Sequence, residues 1–276
     1  MTHAALWLRI AVALILAASV LMLWEYSVCT PMLGPNGAYS SCDGRLFVLF
    51  SKPSEIVRQI VQGEISLALL FRYSAVTAVN ASAGLALAGC FAFVWYWLGA
   101  RLKFVRNAGY AFVWFFQVVP YVAFAWIFSI VFGAGDKLVF GFLVAVFPLI
   151  GALLTAFRSV PPPALEVMTL YKASHTTRMQ HLYLPLAAPY FFGGLAIAAP
   201  LSVVGVLIAD LSGGSSVGLG KQIFTAVRNA EPAELWVYTF AAVIISLGLC
   251  AMVWVGEALF SRFHRWYSTE GVDVAT

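Results

Sequence analysis

Six stretches of this chain, at about 6–28, 75–99, 108–132, 138–157, 189–209 and 237–260, are continuously apolar over nearly their whole length. A helix needs about 20 such residues to cross the hydrocarbon core of a bilayer. Only 10% of the 276 residues are charged and 62% are hydrophobic, against about 25% and about 45–50% in soluble domains. A soluble globular enzyme, a disordered chain and a disulfide-rich secreted miniprotein are thereby excluded. Continuous apolar runs, rather than alternating ones, favour a helix bundle over an outer-membrane barrel. The reading is an all-α membrane protein with six transmembrane helices in one domain over 1–276. Its core lies at about 66–265, and the first span plus an outside segment at 29–65 form an N-terminal extension. No remaining stretch is long enough for a separate ATPase or binding domain.

Charge orients the bundle, because basic residues accumulate in short cytoplasmic segments. With the N-terminus inside, nine bases and four acids fall inside, a net of +5; seven bases and eight acids fall outside, a net of −1. Three of the inside bases, Arg101, Lys103 and Arg106, sit in one short segment. Both termini are then cytoplasmic. The basic balance reads as topology; no dense basic patch with interleaved aromatics points to nucleic acid. The first apolar run also has the charge order of a signal peptide. Its length, with only Glu25 interrupting the run to Val28, favours a retained span.

Two outside features stand out. Cys29 and Cys42 flank a stretch containing Pro31, Gly34, Pro35 and Gly37. In an oxidising compartment they can pair, and closing that loop contributes roughly 3 kcal/mol on the chain-entropy account; two free thiols are the alternative. Cys90 and Cys250 lie inside apolar spans as packing residues. Over Pro53–Leu67, Ile56, Val57, Ile60 and Val61 share one helical face and Glu55, Arg58, Gln59 and Gln62 the other. This describes a helix in the interface plane, serving as scaffold or as a rim for a soluble partner.

The segment between spans four and five carries most information. Pro161-Pro162-Pro163 ends the preceding helix. A polar, helix-compatible run follows, with Glu166, Lys172, His175, Arg178 and His181, and Leu184-Pro185 and Pro189 close it. Two short helices projecting on the cytoplasmic side are expected, as a solvated connector or as a hairpin presented to a soluble partner.

Glu166-Val167-Met168, Ala173-Ser174 and Leu184-Pro185-Leu186 followed by Pro189 resemble the EAA loop of permease subunits of binding-protein-dependent ABC importers. The likeness is to the nitrate-, sulfonate- and taurine-type permeases. It extends to Pro53-Ser54-Glu55, Pro120, Phe132-Gly133-Ala134-Gly135, Ala209-Asp210-Leu211 and Gly218-Leu219-Gly220, and covers about 45–265. It implies a type I importer permease (MetI-like) architecture in a bacterial inner membrane. Two ATPase subunits would dock a coupling helix at Glu166, Val167, Met168, Leu170, Lys172, Ala173, Ser174 and Arg178. A second permease subunit, identical or different, would complete the passage, and an extracytoplasmic solute-binding protein would deliver a small organic or inorganic anion or a vitamin precursor. ATP and magnesium would reside on the partner, with no cofactor on this chain. Two departures from the family loop stand here: Lys172 replaces the usual glycine, and Val167 and Met168 replace two alanines. They favour a heterodimer slightly.

Other chemistry fits poorly. Gly218-Leu219-Gly220-Lys221-Gln222 lacks the upstream glycine and the Ser/Thr of a phosphate-wrapping loop. Gly133-Ala134-Gly135-Asp136 matches the string of aspartyl intramembrane proteases, but aspartic chemistry needs a second carboxylate sharing a proton, and a tight outside turn is the simpler reading. His175 and His181 do not share a helix face, and no metal site is read. An ion-coupled carrier would need midplane carboxylates or a broken-helix ion site.

Polar residues at membrane depth are candidates for lining a passage, with helix packing as the alternative. Asn80, Gln117, Tyr121 and Ser202 are singled out, with Asp210, Gly218 and Gly220 at the outer face. Gly193, Gly194 and Gly205 suit close helix contact. Trp95, Tyr96, Trp97, Trp236 and Trp266 sit where interfacial anchors are expected, and Trp114 and Trp126 lie deeper, facing a cavity or lipid.

Overall fold

A computed structural model describes residues 12, 15–16, 18–25, 51–63, 65–212 and 217–264. Cys29, Cys42, Trp266 and most of the first expected span lie outside them. Among the described residues all regular structure is helical. The chain forms two compact units, one comprising residues up to Arg72 together with Gln222–Phe240, the other Tyr73–Lys221 and the residues from Ala241.

In the first unit, helix α1 is seen at 18–25. Helix α2 covers Pro53–Val61, with Pro53 in its first turn, where a missing N–H costs nothing. No side chain local to α2 caps it. Glu25 does so from α1, accepting from the Ser54 amide at 3.1 Å and the Ser54 hydroxyl at 2.6 Å. The expected amphipathic helix is therefore present, but it stops at Val61 and turns through Gly63 at φ +74°. Within the chain only part of its apolar face is covered. Ile56 is buried with Ile65, Ala233 and Val237, and Ile60 packs alongside Trp24 and Trp236. Val57 and Val61 are 59% and 79% exposed.

The second unit holds most of the length of the long helices. Among the described residues, α3 (Leu67–Arg101), α6 (Asp136–Arg158), the run His175–Leu211 ending in α9 (Leu184–Leu211), and α11 (Pro232–His264), of which α3 and α11 begin in the first unit, hold four windows long and apolar enough to cross a membrane. The 35 residues of α3 rise about 52 Å at ~1.5 Å each, well beyond the ~30 Å hydrocarbon core.

Helix contact runs through small residues. A Cβ at Gly84 on α3 would lie 2.8 Å from the Gly141 carbonyl carbon of α6, and one at Gly205 on α9 would lie 2.5 Å from the Phe140 carbonyl oxygen. One at Gly194 would lie 2.8 Å from Cβ of Ala152. Backbones approach this closely only where side chains are absent. Gly193, by contrast, faces open space.

The expected third span, 108–132, is not one rod. Helices α4 (Lys103–Val118) and α5 (Tyr121–Phe132) meet at 98°. Pro120 has no N–H to give the Phe116 carbonyl, and the residue before a proline prefers extended geometry; Val119 has ψ 122°. The Tyr121 hydroxyl donates to the stranded Phe116 carbonyl at 2.5 Å. A single 3₁₀ turn, Gly133–Gly135, then leads into α6, with Gly133 at φ +53°. This is the tight turn expected of Gly133-Ala134-Gly135-Asp136.

Candidate functional site

The loop between α6 and α9 begins with the three prolines. Helix α7 (Pro162–Leu170) starts immediately, with Pro161 extended before it. None of its residues is buried. Glu166 is exposed and Met168 half-buried. Val167, Leu170 and Tyr171 are exposed, the last two by 81% and 83%. A short helix that buries nothing is held by its ends. The C-terminal end is a Schellman motif: the Ala173 amide donates to Met168 at 2.9 Å and the Lys172 amide to Thr169 at 3.0 Å. This geometry puts Lys172 at φ +49°, in the left-handed region that favours glycine. Ser174 then caps α8 (His175–Arg178), accepting from the Thr177 amide at 3.1 Å, and Arg178 Nε donates to the Ala173 carbonyl at 3.1 Å. Glu166, Val167, Met168, Leu170, Lys172, Ala173, Ser174 and Arg178 thus form one continuous corner.

The second projecting helix is corrected. Helix α8 runs through a π turn, Met179–Tyr183, into α9, so it is the first turn of the fifth span. Pro185 does not break the helix. The extra residue in the π turn moves the carbonyl that its ring would otherwise strike. Pro189 and Pro200 are likewise carried inside α9.

Both ends of the loop meet at Tyr96. Its ring stacks on Phe157 with centroids 4.2 Å apart, Phe157 meets Tyr183 edge-on at 6.0 Å, and the Tyr96 hydroxyl donates to the Tyr183 carbonyl at 3.1 Å. Tyr96 is fully buried. Its reading as an interfacial anchor is wrong, because this is a tertiary clamp on the last residues before and after the loop. Trp95 packs where Gly109 leaves room for it.

At the opposite end of α9, the three outer-face candidates come together. Asp210 is buried, and its Oδ2 accepts from the Gly220 amide at 3.0 Å. Oδ1 lies 2.5 Å from Lys137 Nζ, which also donates to the Val217 carbonyl. The Leu219 amide donates to Thr77 Oγ1 at 3.1 Å. Thus Asp210 and Thr77 cap the first turn of α10 (Leu219–Asn229) from other helices. Gly218 and Gly220 are required by contact: a Cβ on either would lie 2.3 Å and 2.7 Å from Asp210 atoms. Lys137 and Asp136 were missed as partners. A charge in the first turn of an apolar span is itself the signal that would have found Lys137. Asp136 Oδ1 accepts from the Lys137 amide at 2.7 Å. Lys137 Nζ pairs with Asp210, while the neighbouring Asp136 turns one oxygen back to the chain at Lys137.

Of the candidate passage residues, Asn80 and Ser202 converge on Gly141, where an added Cβ would lie 3.5 Å and 3.6 Å from their carbonyl oxygens. Asn80 Nδ2 donates to Val76 at 2.8 Å and Ser202 Oγ to Ala199 at 2.9 Å, each within its own helix. Tyr121 is committed to the α4–α5 bend. Gln117 is exposed on α4, and Trp114 and Trp126 are exposed as well.

Residues 96–265 match the family described as "Binding-protein-dependent transport system inner membrane component". The chain is similar to the "Riboflavin transport system permease protein RibX" of Chloroflexus aurantiacus, 27% identical over 54% of this chain and 56% of that one. It is also similar to a "Probable ABC transporter permease protein" of Haemophilus influenzae, 24% identical over 88% of this chain and 93% of that one. A third relative is the "Nitrate import permease protein NrtB" of Leptolyngbya laminosa, 28% identical over 41% of this chain and 40% of that one. The matched region thus spans about half the length of the riboflavin relative and less of the nitrate one.

Proposed function

The chain belongs to the family of binding-protein-dependent transport system inner membrane components, and from that we propose that it is the permease subunit of an ABC importer. With a second permease subunit it forms the passage for a small solute delivered by a solute-binding protein. Two ATPase subunits, which carry the ATP and magnesium, bind the corner built on α7 and drive alternating access. The chain sits in a bacterial inner membrane with both termini cytoplasmic and does no chemistry itself. Relatives named for riboflavin, bicarbonate and nitrate transport support a small polar or anionic solute.

One observation carries this reading. Helix α7 lies between two spanning helices, buries no residue, and presents Val167, Leu170 and Tyr171 beside the exposed Glu166. Exposed apolar side chains rimmed by charge mark a protein contact. The test is co-purification in detergent of tagged protein expressed with its native neighbours. An ATPase chain should accompany the wild type and be retained at least tenfold less by Glu166→Ala. Wild-type protein that is intact and brings down no ATPase would refute the reading.

A further inference from the structure

Four cations converge at the end of the second unit from which the α7 loop departs. Arg101 ends α3, Lys103 begins α4, Arg106 lies one turn on, and Arg158 ends α6. Contacts between the helices place them together. A Cβ at Gly99 would be 3.6 Å from Arg106 Cα and 3.3 Å from the Phe157 ring. The Arg106 guanidinium sits 5.6 Å from the Phe157 ring centroid. Arg158 Nε donates to the Tyr110 hydroxyl at 3.0 Å, and its guanidinium lies 4.9 Å from the Tyr110 ring centroid. Aromatic faces thus orient both guanidinium groups and leave their terminal nitrogens as donors.

Among the described residues no carboxylate pairs with Arg101, Lys103, Arg106 or Arg158. No side chain caps α4, so its first amides add a positive helix end. Phe104 is exposed beside them, an apolar surface next to a basic one. The arrangement sets a basic end beside an apolar flank, at the end of helices long and apolar enough to cross a bilayer. We infer that this corner binds the headgroup of an anionic phospholipid, with Arg106 and Arg158 holding the phosphate and Arg101 and Lys103 supplying further charge. The alternative occupant is free inorganic phosphate, and charges that serve topology alone would bind neither.

The test is native mass spectrometry of the full chain in detergent with added phosphatidylglycerol or phosphatidylcholine. Phosphatidylglycerol should stay bound at least tenfold more than phosphatidylcholine, and Arg106→Gln with Arg158→Gln should abolish that preference. Arg106→Lys with Arg158→Lys should keep at least a third of it, which separates loss of charge from loss of fold. Arg228→Gln, at another cation–aromatic pair, should leave it unchanged. Equal retention of the two lipids by wild type, equal retention of phosphatidylglycerol by the double glutamine variant, or displacement of the lipid by millimolar inorganic phosphate would each overturn the proposal.

Discussion

Lys172 shows how much one residue's backbone decides. The resemblance marks it as a departure from glycine, which reads as a matter of side-chain size at a docking surface. Its geometry shows a different issue: the side chain is exposed, and the cost lies at φ +49° in the Schellman turn. Lys172→Gly is therefore expected to stabilise the end of α7 by about 1 kcal/mol. Hydrogen exchange at the Lys172 and Ala173 amides should slow about fivefold, and unchanged exchange would count against the strain. Asp210 poses the opposite case, a side chain whose burial makes sense only with its partner. Removing Lys137 alone leaves a buried carboxylate unpaired, at a cost of about 3–5 kcal/mol. Lys137→Met should therefore lower unfolding stability in detergent sharply, and adding Asp210→Leu should recover part of the loss. A strictly additive double variant would show that the two groups do not interact.

Among the elements, the crossing of α6 with α9 depends on positions that hold no side chain. The atom facing Gly205 is a backbone oxygen, which cannot rotate away. Gly205→Ala is expected to cost about 1–3 kcal/mol through overpacking. Gly193→Ala, two helix turns or more away and facing open space, should gain about 0.5–1 kcal/mol as a helix-interior replacement. Thermal unfolding of the two variants in detergent should move in opposite directions. Much of this level was legible in the sequence: the apolar runs located the described spans. That Asp210 is buried against Gly218 and Gly220 was not, because the contact is tertiary. The 98° bend was not legible, because an apolar run reports where a segment partitions but not the angle between its halves. Pro185 misled for a related reason. A proline removes one hydrogen bond whatever follows, and whether the chain breaks or widens by a residue depends on neighbours such as Tyr96, 87 positions away from the carbonyl it binds. The pairing of Lys137 with Asp210 was not legible because it is likewise tertiary.

For the molecule as a whole, the proposed function assigns ATPase binding and the transmission of its motion to different parts of the loop. The tip of the loop carries the exposed Leu170 and Tyr171, while its base is closed by Tyr96, Phe157 and Tyr183. A partner that pulls on the tip moves the spans only if the base is stiff, and that stiffness includes one hydroxyl-to-carbonyl bond of the kind worth about 1 kcal/mol. On the proposed function, Leu170→Ala with Tyr171→Ala should release the ATPase at least tenfold. Tyr96→Phe keeps the ring stack and loses only the hydroxyl, so the ATPase should stay bound at wild-type levels while solute-stimulated hydrolysis in proteoliposomes falls about fivefold. If Tyr96→Phe instead lowered binding and stimulation equally, the clamp would be part of the docking surface. If it changed neither, the loop would transmit force through its packing alone, and the hydroxyl would serve only to close the π turn.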